Sequence, residues 1–236
     1  MKEKIPKKPS KIIKDFHIKG SHSIRISTNA ITNKNLTTSS RKWIDRHIND
    51  EFTQKSKAMG YRARSAFKLM EIQEKFGIVR SYSSVLDLGC APGGWSEVLV
   101  QFTDNKVIGI DLLETVPLAN TIFLQGDFLD KEIQRQALEL NQNKKFDVIV
   151  SDISPNTTGM KTVDHLRIMN VLEIEIEFVM LHLKNGGSFV AKIFQGEGVD
   201  EKISILKTLF RDVKIFKPKS SRKESKEVYL VCLKFA

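Results

Sequence analysis

Cysteine is scarce in this chain of 236 residues: only Cys90 and Cys232 are present, each inside an apolar run and neither at a spacing that holds a metal. A disulfide scaffold or a zinc site finds no support, and a reducing, cytoplasmic setting fits best. Long apolar runs are missing as well. No stretch approaches the ~18 residues that read as a membrane span, and residues 1–14 interleave lysine with proline where a secretory signal would have an apolar core. A soluble protein without membrane or metal is expected. Arginine is nearly absent from the first 40 residues, where Arg25 stands alone, so an Arg-rich organellar import segment is only the second choice there.

Positive charge, by contrast, is abundant and unevenly placed. The formal net charge is +10. Residues 1–80 carry 19 Lys and Arg against 7 Asp and Glu, residues 81–210 carry 11 against 18, and residues 211–236 carry 8 against 3. Basic ends around an acidic middle suit a polyanion gripped by the ends while other chemistry occupies the centre. The bland alternative is a solvated tail that raises solubility. Residues 1–40, rich in Ser, Thr and Asn and without an apolar period, read as a basic, disordered extension. Residues 41–236 read as one domain, and 41% hydrophobic residues overall suffice for a core of ordinary size.

From Ser40 onward periodicity takes over. Trp43, Ile44, His47, Ile48 and Phe52 recur at helical spacing after Ser39 or Ser40 as a cap, and a second helix is expected from about Tyr61 to Lys75, ended by Gly77. Short β-branched runs then alternate with helical ones. Strands are expected at 84–88, 107–110, 122–124, 147–150, 188–193, 213–216 and 228–233, with helices near 94–102, 130–140, 163–184 and 200–210. That alternation predicts a single α/β domain of Rossmann-like type, a mostly parallel seven-stranded sheet with helices on both faces. Only a polar loop, 217–226, joins the final two strands, so the last strand should run antiparallel.

The first strand leads into Asp87-Leu88-Gly89-Cys90-Ala91-Pro92-Gly93-Gly94-Trp95. Neither the G-x-G-x-x-G of a dinucleotide site nor the G-K-[ST] of a triphosphate loop is present, so a different adenosine-bearing ligand is favoured. The second strand closes on Asp111, where a carboxylate accepts from ribose hydroxyls, and the third is followed by Asp127, whose oxygens would suit an adenine amino group. Singly, such an Asp is more often a turn or cap residue. In this order the signals read as an S-adenosylmethionine (SAM) site.

Five runs, taken together, carry a family likeness. Tyr61-Arg62-Ala63-Arg64-Ser65-Ala66-Phe67-Lys68-Leu69, the glycine run just quoted, Ser151-Asp152-Ile153-Ser154-Pro155-Asn156, Ala191-Lys192-Ile193-Phe194-Gln195-Gly196 and Ser225-Lys226-Glu227-Val228-Tyr229 resemble the successive motifs of the RrmJ/FtsJ family of SAM-dependent RNA ribose 2′-O-methyltransferases. The likeness spans about 40–236 and is strongest to the bacterial branch that acts on large-subunit ribosomal RNA. It implies SAM as cofactor, held by Gly93, Trp95, Asp111, Asp127 and Asp152, and a catalytic set of Lys68, Asp152, Lys192 and Glu227. Ser154 and Cys90 depart from the family's usual small apolar residues without touching the mechanism.

Lys192 is the central residue by resemblance. It interrupts an otherwise apolar run, Ser188-Phe189-Val190-Ala191-Lys192-Ile193-Phe194, where an unpaired ammonium would be costly. It could serve as a neutral amine or, charged, stabilise a developing alkoxide. Asp152 would orient it, Glu227 would fix the geometry and Lys68 would steer the ribose or its phosphate. The resemblance thus implies methyl transfer to a uridine 2′-oxygen of 23S rRNA in the large ribosomal subunit, by a monomer. The alternatives are a transfer RNA or mitochondrial rRNA target, or a non-catalytic ribosome-assembly factor. Two basic series, Arg41, Lys42, Arg46, Lys55, Lys57, Arg62, Arg64 and Lys214, Lys217, Lys219, Arg222, Lys223, Lys226, are expected to grip RNA phosphates.

Overall fold

A computed structural model describes residues 50–155 and 159–236. The extension at 1–40, the helix through Trp43 and Ile48, its serine cap and the basic residues Arg41, Lys42 and Arg46 lie outside the described residues.

Along the chain run α1 (Glu51–Ala58), α2 (Ala66–Phe76), β1 (Val85–Leu88), α3 (Gly94–Leu99), β2 (Val107–Asp111), β3 (Thr121–Gln125), α4 (Lys131–Leu140), β4 (Phe146–Ser151), α5 (Lys161–His182), β5 (Leu183–Phe194), α6 (Val199–Leu209), β6 (Phe210–Phe216) and β7 (Glu227–Phe235). The seven strands form one sheet in the order β3-β2-β1-β4-β5-β7-β6. β1 to β5 pair in parallel, whereas β7 lies antiparallel to both β5 and β6. The loop 217–226 contains no crossover helix, so the chain can only turn back, and β7 fills the gap between β5 and β6. This is the Rossmann-like α/β domain expected from the alternation of elements. Its strand order reverses between β1 and β4, the position at which sheets of this type form a crevice at the carboxyl ends of their strands.

Strand parity sorts the core into two layers. Leu86, Ile149, Phe189, Ile193 and Leu230 pack on one face with Leu172, Ile176 and Val179 of α5 and Leu206 of α6. Val85, Val148, Val190 and Val231 pack on the other with Leu69 and Ile72 of α2 and Val98 and Leu99 of α3. Burying each such side chain stabilises the fold by about 1.5–3 kcal/mol.

Some boundaries differ from the expected ones, for local reasons. α2 begins at Ala66, not Tyr61, because residues 61–65 follow an irregular path that ties loops together. It ends at Gly77 (φ 60), whose N–H caps Gln73 O. α5 stops at His182, and Leu183 already pairs with Phe146; the ladder then skips to Val148–Ser188, so residues 184–187 bulge around Gly186 (φ 80). β6 begins three residues early because Phe210 is buried and pairs with Phe235.

One polar group is buried outright beneath the crevice. Asp87 of β1 accepts from Ser96 Oγ of α3 at 2.6 Å, joining strand to helix, while its Oδ1 has no partner. Burial above all, with the charges of Asp152 and Asp111, raises its carboxyl to about 7, against the opposing Ser96 hydrogen bond. With a folded value above its unfolded one, Asp87 keeps its proton in the native state when the unfolded chain has released it. This contribution is therefore fully present below about pH 4 and is lost as the pH rises towards about 7. Denaturant titrations of Asp87→Asn should accordingly show a gain over the parent chain that grows between those pH values, up to about 4 kcal/mol. An identical pH dependence in both chains would contradict a protonated Asp87.

Candidate active site

Because side chains alternate along a strand, the valines that face α2 and α3 also say where the polar residues beyond them point. Val148 and Val150 on β4 are followed two residues later by Asp152, and Val190 on β5 by Lys192. On β7, Glu227 and Tyr229 share the face of Val231. The register then sets these neighbours side by side: Ser151 opposite Ala191, Lys192 opposite Tyr229 and Phe194 opposite Glu227. From above this face α2 contributes Lys68, on the same helix as the buried Ala66, Leu69 and Ile72.

The result is two ion pairs linked by a phenol. Lys192 Nζ donates to the Asp152 backbone carbonyl at 2.7 Å and lies 3.3 Å from Asp152 Oδ1. Tyr229 donates its hydroxyl to that same Oδ1 at 2.8 Å. Lys68 Nζ meets Glu227 Oε1 at 2.6 Å, an oxygen that also accepts from Ser221 Oγ at 2.9 Å. Lys68 Nζ stands 5.6 Å from the centre of the Tyr229 ring. Both lysines are nearly out of solvent, at 9% and 8% exposure, which is tolerable only because each ammonium has an acid beside it. Burial first, then the charges of Asp152 and Glu227, holds the Tyr229 hydroxyl well above its usual range, so it remains a donor. Tyr229 escaped the sequence-based choice of site residues. The signal was there: it shares parity with Glu227 and faces Lys192 across the ladder.

Of the residues expected to hold a ligand, Asp111 is the best placed. It ends β2, and its two oxygens accept from Ala91 N at 2.9 Å and Leu113 N at 2.8 Å, spanning the loops after β1 and β2. Each oxygen keeps further acceptor capacity. Gly93 has φ 102, and a Cβ there would lie 2.8 Å from Arg62 Nη1. Trp95 turns its ring inward: it is 2% exposed, donates from Nε1 to Ser65 O at 3.0 Å and packs at a tilt of 38° against the Tyr229 ring with centroids 5.5 Å apart. Little more than its backbone is available to a ligand. Asp127 is exposed and accepts from Leu129 N at 2.9 Å, the turn role that an isolated Asp usually has.

Three arginines expected on the RNA-gripping series are committed inside the chain instead. Arg62 donates from Nη1 to Val116 O at 2.6 Å and Pro92 O at 3.3 Å, and from Nη2 to Pro117 O at 2.7 Å. Arg64 pairs with Asp50 and donates to Ser220 O, and Arg222 Nε reaches Asp50 at 3.4 Å. Burial opposes ionisation of Asp50, but the Thr53 N–H and these two guanidiniums outweigh it and hold the carboxyl below its ordinary value. Glu71 adds a further tie, accepting from Lys219 N at 2.6 Å and Ser220 N at 2.8 Å. The loop that precedes Glu227 is thereby fixed to α1 and α2. Lys57, Lys214, Lys219, Lys223 and Lys226 stay exposed. Among the described residues no helix is long and apolar enough to cross a membrane, and no three His, Cys, Asp or Glu side chains cluster as metal ligands would.

The chain is similar to known proteins in sequence and in fold. The model of the FtsJ-like methyltransferase family matches residues 61–235. Ribosomal RNA large subunit methyltransferase E of Francisella philomiragia is 43% identical over 197 residues, which is 83% of this chain and 96% of that protein. Its namesake in Acidiphilium cryptum is 44% identical over 193 residues, 82% of this chain and 85% of that one. Among solved structures, a ribosomal RNA methyltransferase from Plasmodium falciparum superposes with a TM-score of 0.68 at 32% identity, covering 74% of this chain and 98% of that chain. With the family's match running from the irregular segment before α2 to the end of β7, the chain belongs to the FtsJ-like methyltransferases.

Proposed function

We propose that this protein transfers a methyl group from SAM to the 2′-oxygen of a uridine ribose in 23S rRNA of the large ribosomal subunit, acting in the cytoplasm as a monomer whose catalytic domain spans 41–236. The observation that carries the reading is the pairing of Lys68 with Glu227 and of Lys192 with Asp152, the two pairs joined by Tyr229 at the end of the sheet where β4 and β5 finish. The relatives named above, which carry a ribosomal RNA methyltransferase name, support the substrate class.

The residues around the crevice suit SAM by their chemistry. Asp111 offers acceptors for ribose hydroxyls between two loops, Asp127 an exposed carboxylate for an adenine amino group, and Gly93 and Trp95 a tight backbone approach. Buried Asp87 leaves one carboxyl oxygen without a partner at the foot of that loop. When bound, SAM supplies an electrophilic methyl on a positively charged sulfur, towards which Asp152 would present its carboxylate.

What the chain itself does is hold the ribose hydroxyl in line and stabilise the negative charge that develops on its oxygen as the proton passes to solvent. Orientation of this kind contributes roughly 7–11 kcal/mol, against roughly 3–5 kcal/mol from proton transfer worth ~10²–10⁴-fold. Lys192 Nζ has three donor positions; the carbonyl and carboxylate of Asp152 occupy two, leaving one for the 2′-oxygen. Tyr229 fixes the Asp152 carboxylate, and Lys68, braced by Glu227, faces the same space to meet the ribose or its phosphate. Exposed Lys219, Lys223 and Lys226 then supply phosphate contacts without reading sequence.

Transfer of labelled methyl to large ribosomal subunits lacking the modification should fall at least about a hundredfold in Lys192→Ala. Calorimetric affinity for SAM should stay near the parent value in that variant. Undiminished turnover would remove Lys192 from the chemistry, and a parent chain that binds no SAM would mark a non-catalytic assembly factor. Mass-spectrometric mapping should put the product on a uridine ribose of 23S rRNA; a mark on transfer RNA would overturn the substrate. In a second measurement, replacing Lys219 and Lys223 by Ala should weaken RNA binding across sequences and lower its salt slope by about one for each phosphate that is no longer neutralised. An unchanged slope would place the RNA elsewhere.

A further inference from the structure

Behind the two ion pairs, on the opposite face of the sheet, α5 sets a carboxylate into its own apolar stripe. Leu172, Ile176 and Val179 face the sheet at helical spacing, and Glu175, only 1% exposed, lies among them. A carboxylate in such surroundings is unfavourable unless it has a partner. Its partner is Ser151, the last residue of β4, whose hydroxyl donates to Glu175 Oε1. That same Oγ accepts from Ile153 N at 3.3 Å, so the hydrogen bond reaches across Asp152.

The peptide unit that carries the Ile153 N–H also carries the Asp152 carbonyl, and this carbonyl accepts from Lys192 Nζ at 2.7 Å. A continuous series of donors and acceptors therefore runs from Lys192, through the Asp152–Ile153 peptide and the Ser151 hydroxyl, to Glu175. In such a series each bond polarises the next, and the orientation of the peptide is set from both sides of the sheet. Burial raises the Glu175 carboxyl to about 7, while the Ser151 hydrogen bond and the charge of Lys192 act in the opposite direction. On its own helix Glu173 and Glu177 are exposed, and Glu173 pairs with Lys202 of α6 at 3.1 Å.

Resting on the role given above to Lys192, we infer that Glu175 is a positioning residue for methyl transfer: as a buried acceptor it locks the Ser151 hydroxyl, and through it the peptide that holds the Lys192 ammonium. The acceptor at this position is what matters, so glutamine can replace it and alanine cannot.

The test uses the full chain in four variants: Ser151→Ala, Glu175→Ala, Glu175→Gln and the double variant Ser151→Ala with Glu175→Ala. Thermal melts, SAM affinity, and kcat and KM for ribosomal particles are measured for each. Ser151→Ala and Glu175→Ala should lower kcat by roughly two- to thirtyfold, the range of indirect couplings, with KM and SAM affinity unchanged. Glu175→Gln should recover most of the loss, and the double variant should be no slower than the slower single one. Parental kcat in Ser151→Ala, losses that multiply in the double variant, or a glutamine variant as slow as the alanine one would each overturn the inference. Should Glu175→Ala fail to fold, Ser151→Ala and Glu175→Gln still decide it. A parent chain that transfers no methyl to ribosomal particles sinks the functional reading itself, whereas an active parent with unaffected variants sinks only the role of Glu175.

Discussion

Two ammonium groups almost withdrawn from water are the constraint around which this end of the protein is arranged. Lys68 and Lys192 are both buried, and neither would be tolerated there without a carboxylate in contact. The need for partners dictates the surroundings: Asp152 must follow β4 at the parity that faces Lys192, Glu227 must open β7, and the loop before Glu227 must be anchored so that its carboxylate does not drift. Asp50 and Glu71 supply that anchoring through Arg64, Arg222 and the amides of residues 219 and 220. Tyr229 joins the two pairs into one polar group whose members hold one another in place.

The sheet makes this possible by its one departure from parallel order. Because β7 inserts between β5 and β6 and runs against both, the start of β7 lies beside the end of β5. Glu227 and Tyr229, at the beginning of a strand, thus reach the same edge as Asp152 and Lys192, at or beyond the ends of theirs. Had β7 run parallel, its first residues would sit at the far end of the sheet, away from the crevice at the β1–β4 reversal.

The alternation of elements and the antiparallel return of β7 were legible in the chain, because apolar period and loop length are local properties. Of the four charged residues Lys192 stood out by interrupting an apolar run, whereas Lys68, Asp152 and Glu227 were expected only through family likeness, since a lone charge at a strand end is usually solvated. Tyr229 was hidden because an aromatic in an apolar strand reads as core, which it also is. Arg62, Arg64 and Arg222 read as part of a basic surface, yet their partners are backbone carbonyls and an Asp that sit up to 172 positions away in the chain, a distance no local pattern reports. The early start of β5 was equally invisible, since Leu183 satisfies the α5 stripe as well as it satisfies the ladder to Phe146.

The guanidinium of Arg62 carries a mechanical consequence. It clasps carbonyls of Pro92, Val116 and Pro117, one from the loop after β1 and two from the loop after β2, while its own backbone N–H is held by Glu97 of α3. Six residues further on, the same stretch of chain delivers Lys68. Neither loop can swing outward without either severing these hydrogen bonds or pulling the whole stretch with it. An outward swing of either loop would therefore tug on the segment that leads to Lys68, with Arg62 as the tooth that meshes them.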